Sequence, residues 1–213
     1  MVTKAIAFDI DGTILDSLTA VERAFSHAMS VYGFNPQLPP EAKELHGSRA
    51  IKWLKALVPK EKQTPELLEE MLSYFRSRYY GFYLPSLGRT RLDLSGVLPR
   101  LAEKYKLGIC TNNDAEHIYG ILEEFNLKPF FSAWVGVGDA PHAKPAPDLM
   151  LELLDRLKVD KSELVFVGDT AADQGCASAA GVRFFFIKHA NNEGLQGEKV
   201  DSFAELEQIL ATL

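Results

Sequence analysis

Five short stretches of the 213-residue chain, residues 4–8, 107–110, 133–137, 164–167 and 183–187, are dense in apolar, β-branched and aromatic side chains. Runs of this length without polar alternation read as strands buried on both faces. Between the last four lie segments with helical periodicity, residues 115–125, 146–157 and 172–180. Strands alternating with helices lead to a parallel sheet covered by helices on both sides. Ser202-Phe203-Ala204-Glu205 has the spacing of a capping box and starts a final helix carrying Phe203, Leu206, Ile209 and Leu210.

The alternation fails between the first and second strands, where residues 17–91 hold amphipathic helices and no convincing strand. One apolar face carries Ala20, Ala24, Phe25, Ala28 and Val31; a second carries Ile51, Leu54 and Leu57; a third carries Leu67, Leu68, Met71, Leu72 and Phe75. Pro39-Pro40, Pro59 and Pro65 fall between them and break helices. The expected organisation is an α/β core of residues 1–16 and 92–213, with residues 17–91 inserted as a helical domain.

Composition supports a packed core, with 46% apolar and 24% charged residues. The net charge of −6 makes non-specific attraction to nucleic acid or anionic membrane weak, so neither is an expected partner. Residues 17–90 carry 10 basic and 7 acidic side chains, so this stretch stands at +3 and the rest of the chain at −9. That split suits a lid bringing positive charge to an anionic substrate, and equally suits chance variation on solvated faces. No run approaches the roughly 18 apolar residues of a membrane span. Asp9 and Asp11 come too early to leave room for a signal-peptide apolar region, so a cytoplasmic location is expected. Cys110 and Cys176 form no disulfide framework or metal spacing and read as small packed hydrophobes.

Chemistry is expected at the carboxyl ends of the strands. The first strand runs into Asp9-Ile10-Asp11-Gly12-Thr13, where Gly12 permits a sharp turn that lets both carboxylates face one pocket; the alternative is a plain Asx turn. The second runs into Thr111-Asn112-Asn113-Asp114, read as a hydroxyl and amides forming an anion site at a helix N-terminus, or as an N-cap by Asn113 or Asp114. The fourth runs into Gly168-Asp169-Thr170-Ala171-Ala172-Asp173, whose acids serve chemistry or cap the next helix. Lys144, in His142-Ala143-Lys144-Pro145-Ala146-Pro147, follows the third strand as a stiffened ammonium or an ordinary solvated lysine.

Taken in chain order, Asp9-Ile10-Asp11-Gly12-Thr13 with Asp16 shortly after, Thr111-Asn112, Lys144-Pro145 and the Gly168–Asp173 acidic stretch resemble the haloacid dehalogenase superfamily of hydrolases. The helical insert resembles the cap of its phosphoglycolate phosphatase-like and β-phosphoglucomutase-like branch. The resemblance implies a Rossmann-like doubly wound core and a phosphatase acting on a small phosphate monoester, possibly phosphoglycolate-like, through an aspartyl-phosphate. It implies Asp9 as nucleophile and Asp11 as general acid/base, with Thr111, the Asn112 amide and Lys144 holding the phosphoryl group. It further implies Mg²⁺ bound by the Asp9 carboxylate, the Asp11 carbonyl and Asp169, with Asp173 acting directly or through water. The dehalogenase branch lacks the second aspartate, so Asp11 argues against dehalogenation.

These residue types suit phosphoryl transfer. A carboxylate approaching a phosphate meets a repulsion of about 4 kcal/mol per unit pair at 4 Å and an effective dielectric of 20, enough to slow attack roughly a thousandfold. A hard divalent ion and one ammonium reverse that field with oxygen ligands alone. Neighbouring carboxylates are expected to favour the protonated form of Asp11, as a general acid requires.

For substrate choice, His46-Gly47-Ser48-Arg49 lies just before a helix of the insert, where related families contact substrate. Arg49 is the leading candidate, with Ser48 and Gly47 beside it and Lys52 and His46 behind. Tyr79, Tyr80, Phe82, Tyr83 and Trp53 read as packing of the insert. His27, His117 and His189 read as surface or satisfied core residues, and His142 as a possible support for Lys144. Related families often place Pro-Gly-Val at the second linker where this chain has Ser95-Gly96-Val97, which points to a looser hinge. A phosphomutase and a non-catalytic phosphate-binding module are the competing readings. The expected assembly is a monomer or weak homodimer.

Overall fold

The computed structural model of the chain describes residues 2–79, 92–189 and 192–212. Six parallel strands, β1 (Ala5–Phe8), β2 (Lys106–Asp114), β3 (Ala133–Val137), β4 (Leu164–Gly168), β5 (Arg183–Ile187) and β6 (Lys199–Val200), form one sheet in the order β3-β2-β1-β4-β5-β6. The order reverses at β1, which opens a crevice above its carboxyl end.

Side chains alternate across β1. Ile6 and Phe8 join the cluster beneath α4 (Leu92–Lys104), α5 (Ala115–Glu124) and α8 (Phe203–Leu210), while Ala5 and Ala7 face α6 (Asp148–Leu157) and α7 (Ala171–Ala180). Small residues on the second face let α6 sit close: a Cβ on Gly108 would stand 3.0 Å from Leu153 and Leu157. Ser202 caps α8 by accepting from the Glu205 amide, as its spacing predicts.

Between β1 and α4 the chain forms α1 (Leu18–Val31), α2 (Ala50–Leu57) and α3 (Pro65–Arg78), with a 3-10 turn over Pro40–Leu45. Thr64 caps α3 and Pro65 occupies its first turn. Phe25 stacks between Trp53 and Phe75, with ring centroids 4.6 and 4.2 Å apart, so Trp53 packs the helices together as expected. Tyr80, Phe82 and Tyr83 lie outside the described residues.

Three features differ from the sequence reading. Ser95-Gly96-Val97, read as a loose linker, lies within α4. β6 is only two residues long, too short to leave a periodic signal. β2 runs on to Asp114 and not to Cys110, because it bulges: Cys110 pairs with Val135 and Asp114 with Val137. Gly136 makes room for the bulge, since a Cβ there would run into the Asn113 carbonyl. Thr111 to Asn113 are therefore extended chain, and of the two readings of this stretch the structure bears out the N-cap: Asp114 caps α5 by accepting from the His117 amide.

Candidate active site

Asp9 follows β1, and its amide donates to the Val167 carbonyl at 3.0 Å, so the carboxylate sits where the strand order reverses. It is buried, 3% exposed. Lys144 reaches it from the loop after β3, with Nζ 2.9 Å from Asp9 Oδ1, 2.5 Å from Asp173 Oδ1 and 2.9 Å from the Cys110 carbonyl. The buried Asp9, Asp169 and Asp173 offer oxygens all within 4.8 Å of one another.

Asp173 is both a capping acid and a site acid. It stands at the third position of α7, where Oδ2 accepts from the Thr170 amide at 3.0 Å and the Thr170 hydroxyl at 2.5 Å, leaving Oδ1 to Lys144. Asp169 accepts from the Thr13 hydroxyl at 3.1 Å on Oδ1 and from His189 Nε2 at 3.0 Å on Oδ2. Gly12, at φ +78°, lets the loop after β1 close on Asp169: a Cβ there would overlap the carboxylate.

Charge explains the shifted acids. Burial pushes the Asp9 carboxyl up to about 8, Asp173 and Asp169 adding to the rise and Lys144 opposing it. Burial likewise raises Asp169 against the pull of His189. Burial alone would lower the Lys144 ammonium, yet Asp173 and Asp9 hold it well above its ordinary value. Three carboxylates facing one ammonium lack two positive charges, which is what a divalent cation carries, and an all-oxygen donor set suits a hard one.

Asp11 points away from this cluster, among donors. Its Oδ1 accepts from the Ser17 hydroxyl at 2.5 Å and the Tyr79 hydroxyl at 3.2 Å, and Oδ2 from Asn113 Nδ2 at 2.7 Å; His117 Nε2 lies 3.8 Å from Oδ2. The carboxylate neighbours expected for it are replaced by these polar groups. Thr111 is buried beneath the bulge, its hydroxyl accepting from the Asn113 amide. The Asn112 side chain binds backbone on both sides: Nδ2 donates to the Gly47 and Lys144 carbonyls at 2.7 and 3.1 Å, and Oδ1 accepts from the Lys144 amide at 2.8 Å.

Asp9 and Asp11 form the floor of a cleft whose roof comes from the helical insert, with His46, Gly47, Ser48 and Arg49 among its lining. Gly47, at φ +72°, presses on Thr170 where a Cβ would collide, so its contribution is a backbone contact. The Ser48 hydroxyl donates to the Leu45 carbonyl. Arg49 is exposed at the start of α2. His46 packs tilted against Trp53, ring centroids 5.5 Å apart, with Nε2 3.2 Å from Glu22, and burial lowers its pKa. Arg76 pairs with Asp114 at 3.1 Å, joining roof to floor. Lys52 is exposed and does not line the cleft, and His142 turns outward to Asp148. Sequence reasoning gave Thr13 and Ser17 no role, took Asn113 for an N-cap and Tyr79 for packing, and read His117 and His189 as surface or satisfied core residues. His189 had a usable signal, because it lies two residues beyond the carboxyl end of β5.

The sequence profile of the haloacid dehalogenase-like hydrolases matches residues 6–187. The chain belongs to this family. A phosphoglycolate phosphatase of Aliivibrio fischeri is 30% identical over 196 residues, 90% of this chain and 86% of its own length. One from Haemophilus influenzae is 27% identical over 226 residues, covering 97% of this chain and 98% of its own. The β-phosphoglucomutase of Clostridium difficile superposes with a TM-score of 0.84 at 16% identity, over 99% and 98% of the two chains, which shows a shared fold. As a haloacid dehalogenase-like hydrolase the protein is a phosphatase, and its buried acids come from the carboxyl ends of β1 and β4. Among the described residues no helix is long and apolar enough to cross a membrane.

Proposed function

We propose that this chain is a Mg²⁺-dependent phosphatase of small phosphate monoesters, with a phosphoglycolate-like compound as the favoured substrate. The observation that carries the reading is the Asp9 carboxylate held 2.9 Å from a buried ammonium and within 4.8 Å of two further acids, at the floor of a cleft. The phosphoglycolate phosphatases to which the chain is similar support the substrate class.

Asp9 attacks phosphorus and carries the phosphoryl group as an acyl phosphate, while Lys144 neutralises the oxygens as they pass. Asp11 donates a proton to the leaving alcohol oxygen, then takes one from the water that attacks the acyl phosphate. The Thr111 hydroxyl and Asn112 amide orient the group. A divalent cation held by the Asp9 carboxylate, the Asp11 carbonyl and Asp169 would supply the charge the triad lacks. Asp173, whose oxygens are taken by Lys144 and the α7 cap, serves that ion through water. Residues 17–91 act as the cap, with Arg49 at its mouth selecting substrate.

The test is phosphate release from a panel of metabolite monoesters and an aryl phosphate, with Mg²⁺ and with chelator, for the wild-type chain and Asp9→Asn. Release is expected only with Mg²⁺ and without added sugar bisphosphate. Asp9→Asn is expected to lower turnover on the order of 10⁴-fold with an unchanged circular dichroism spectrum. Near-normal rates in that variant remove Asp9 as nucleophile, and an absolute need for a bisphosphate activator turns the reading to a mutase.

A further inference from the structure

His189 and Asn192 surround Asp169 from the loop after β5. His189 Nε2 lies 3.0 Å from Asp169 Oδ2. Asn192 Nδ2 donates to the Asp169 backbone carbonyl and to the Ile187 carbonyl, both at 3.0 Å, and Asn192 Oδ1 accepts from the His189 amide at 3.2 Å. Asn192 is 1% exposed, and its own carbonyl accepts from Lys199 Nζ at 3.1 Å. One asparagine thus fixes both the backbone of the acid and the backbone of the histidine that touches its side chain. On the other edge of the same carboxylate, Thr13 donates to Oδ1.

We infer that His189 is a positioning residue for the metal-binding carboxylate of Asp169, held in place by Asn192. The inference rests on the reading of Asp169 as a metal ligand. A planar carboxylate with a donor on each oxygen, from two different loops, has lost its rotation about the Cβ–Cγ bond. A buried ligand fixed before the ion arrives binds it with a smaller ordering cost. With Nε2 set against Oδ2 and the Thr13 hydroxyl against Oδ1, the carboxylate plane is fixed while lone pairs on both oxygens stay free for a cation. The imidazole is not a member of the compact cluster of Asp9, Asp169 and Asp173, so it acts through Asp169 and not as a ligand itself.

The experiment titrates Mg²⁺ by calorimetry into the metal-free full chain, comparing wild type, His189→Leu and His189→Gln. Leu removes the donor at similar bulk, whereas Gln returns an N–H near the position of Nε2. The Leu variant is expected to bind Mg²⁺ about tenfold more weakly, and the Gln variant to recover most of that loss. Unfolding midpoints in chelator report the fold independently of metal, and His189→Ala takes the place of the Leu variant if that one does not fold. Unchanged Mg²⁺ affinity in the Leu or Ala variant, or a Gln variant as weak as Leu, overturns the role of His189 and leaves the metal reading standing. A wild-type chain that takes up no Mg²⁺ overturns both.

Discussion

Lys144 shows what one buried charge does among three acids. Its side chain is 1% exposed and touches Asp9 and Asp173, whose side chains are 4% and 0% exposed. Such an ammonium is a structural group before it is a catalytic one, because deleting it leaves the buried acids Asp9 and Asp173 with no positive partner. Lys144→Met, close in volume but neutral, is expected to destabilise the metal-free chain by about 3 kcal/mol, read as a lower midpoint in urea. Mg²⁺ is expected to restore part of that loss. Lys144 was legible in the sequence because two prolines flank its approach to a helix and because it falls after a strand. Its partnership with Asp173 was not, since nothing in a linear spacing tells which oxygen of a helix-capping acid remains free to meet a lysine 29 residues away.

Among the elements, the end of β2 does the most. Asn112, Asn113 and Asp114 are consecutive, and each spends its side chain differently: on the Gly47 carbonyl, on Asp11 and on Arg76. Only a bulged strand presents three successive side chains to one cleft, because regular pleating would send alternate ones to the opposite face. Asp114 carries two duties that substitutions can separate. Asp114→Ser keeps an oxygen for the His117 amide and loses the Arg76 pair, whereas Asp114→Ala loses both. The Ala variant is expected to be about 1 kcal/mol less stable than the Ser variant in chemical denaturation, while both lose the same contact between α3 and β2 and show the same rise in KM. Equal stabilities would remove Asp114 as the cap of α5. The strand's position was readable from its apolar residues 107–110. Its continuation through four polar residues was not, because the bulge depends on space left by Gly136 on a neighbouring strand. The same limit hid Tyr79 and His117, which meet Asp11 only once α3 and α5 are folded against the sheet.

At the scale of the whole molecule, the site is a region of stored charge conflict. Asp9 has its carboxyl raised to about 8 by burial, so the folded chain holds a proton that the unfolded chain gives up near pH 4. The stabilisation this represents is complete below that pH and is lost as pH climbs toward 8. His46 and His117, lowered by burial, act in the opposite sense below about pH 6.5, where the unfolded chain charges first. The upper part of the range therefore belongs to the acids. In chelator, the unfolding temperature is expected to fall between pH 6.5 and 8, and Asp9→Asn is expected to flatten that slope in scanning calorimetry. An identical slope in the variant would place the conflict elsewhere. The parallel sheet was written in the alternation of short apolar runs, whereas its switch at β1 belongs to the strand order. The order of strands and the closeness of roof to floor were not, because both arise from contacts between residues far apart in the chain.

Asn112 gives the arrangement a mechanical consequence. Its amide group grips the loop that carries the ammonium with one carbonyl oxygen and shares its nitrogen between that loop and the helical roof. Of the three bonds made by the Asn112 side chain, only the one to Gly47 crosses to the roof, so a roof that lifted would leave the two to Lys144 in place. Were the roof to open, the positive centre would keep its hold, and the cost would fall on the contacts of Asn112, Tyr79 and Arg76 that cross the cleft.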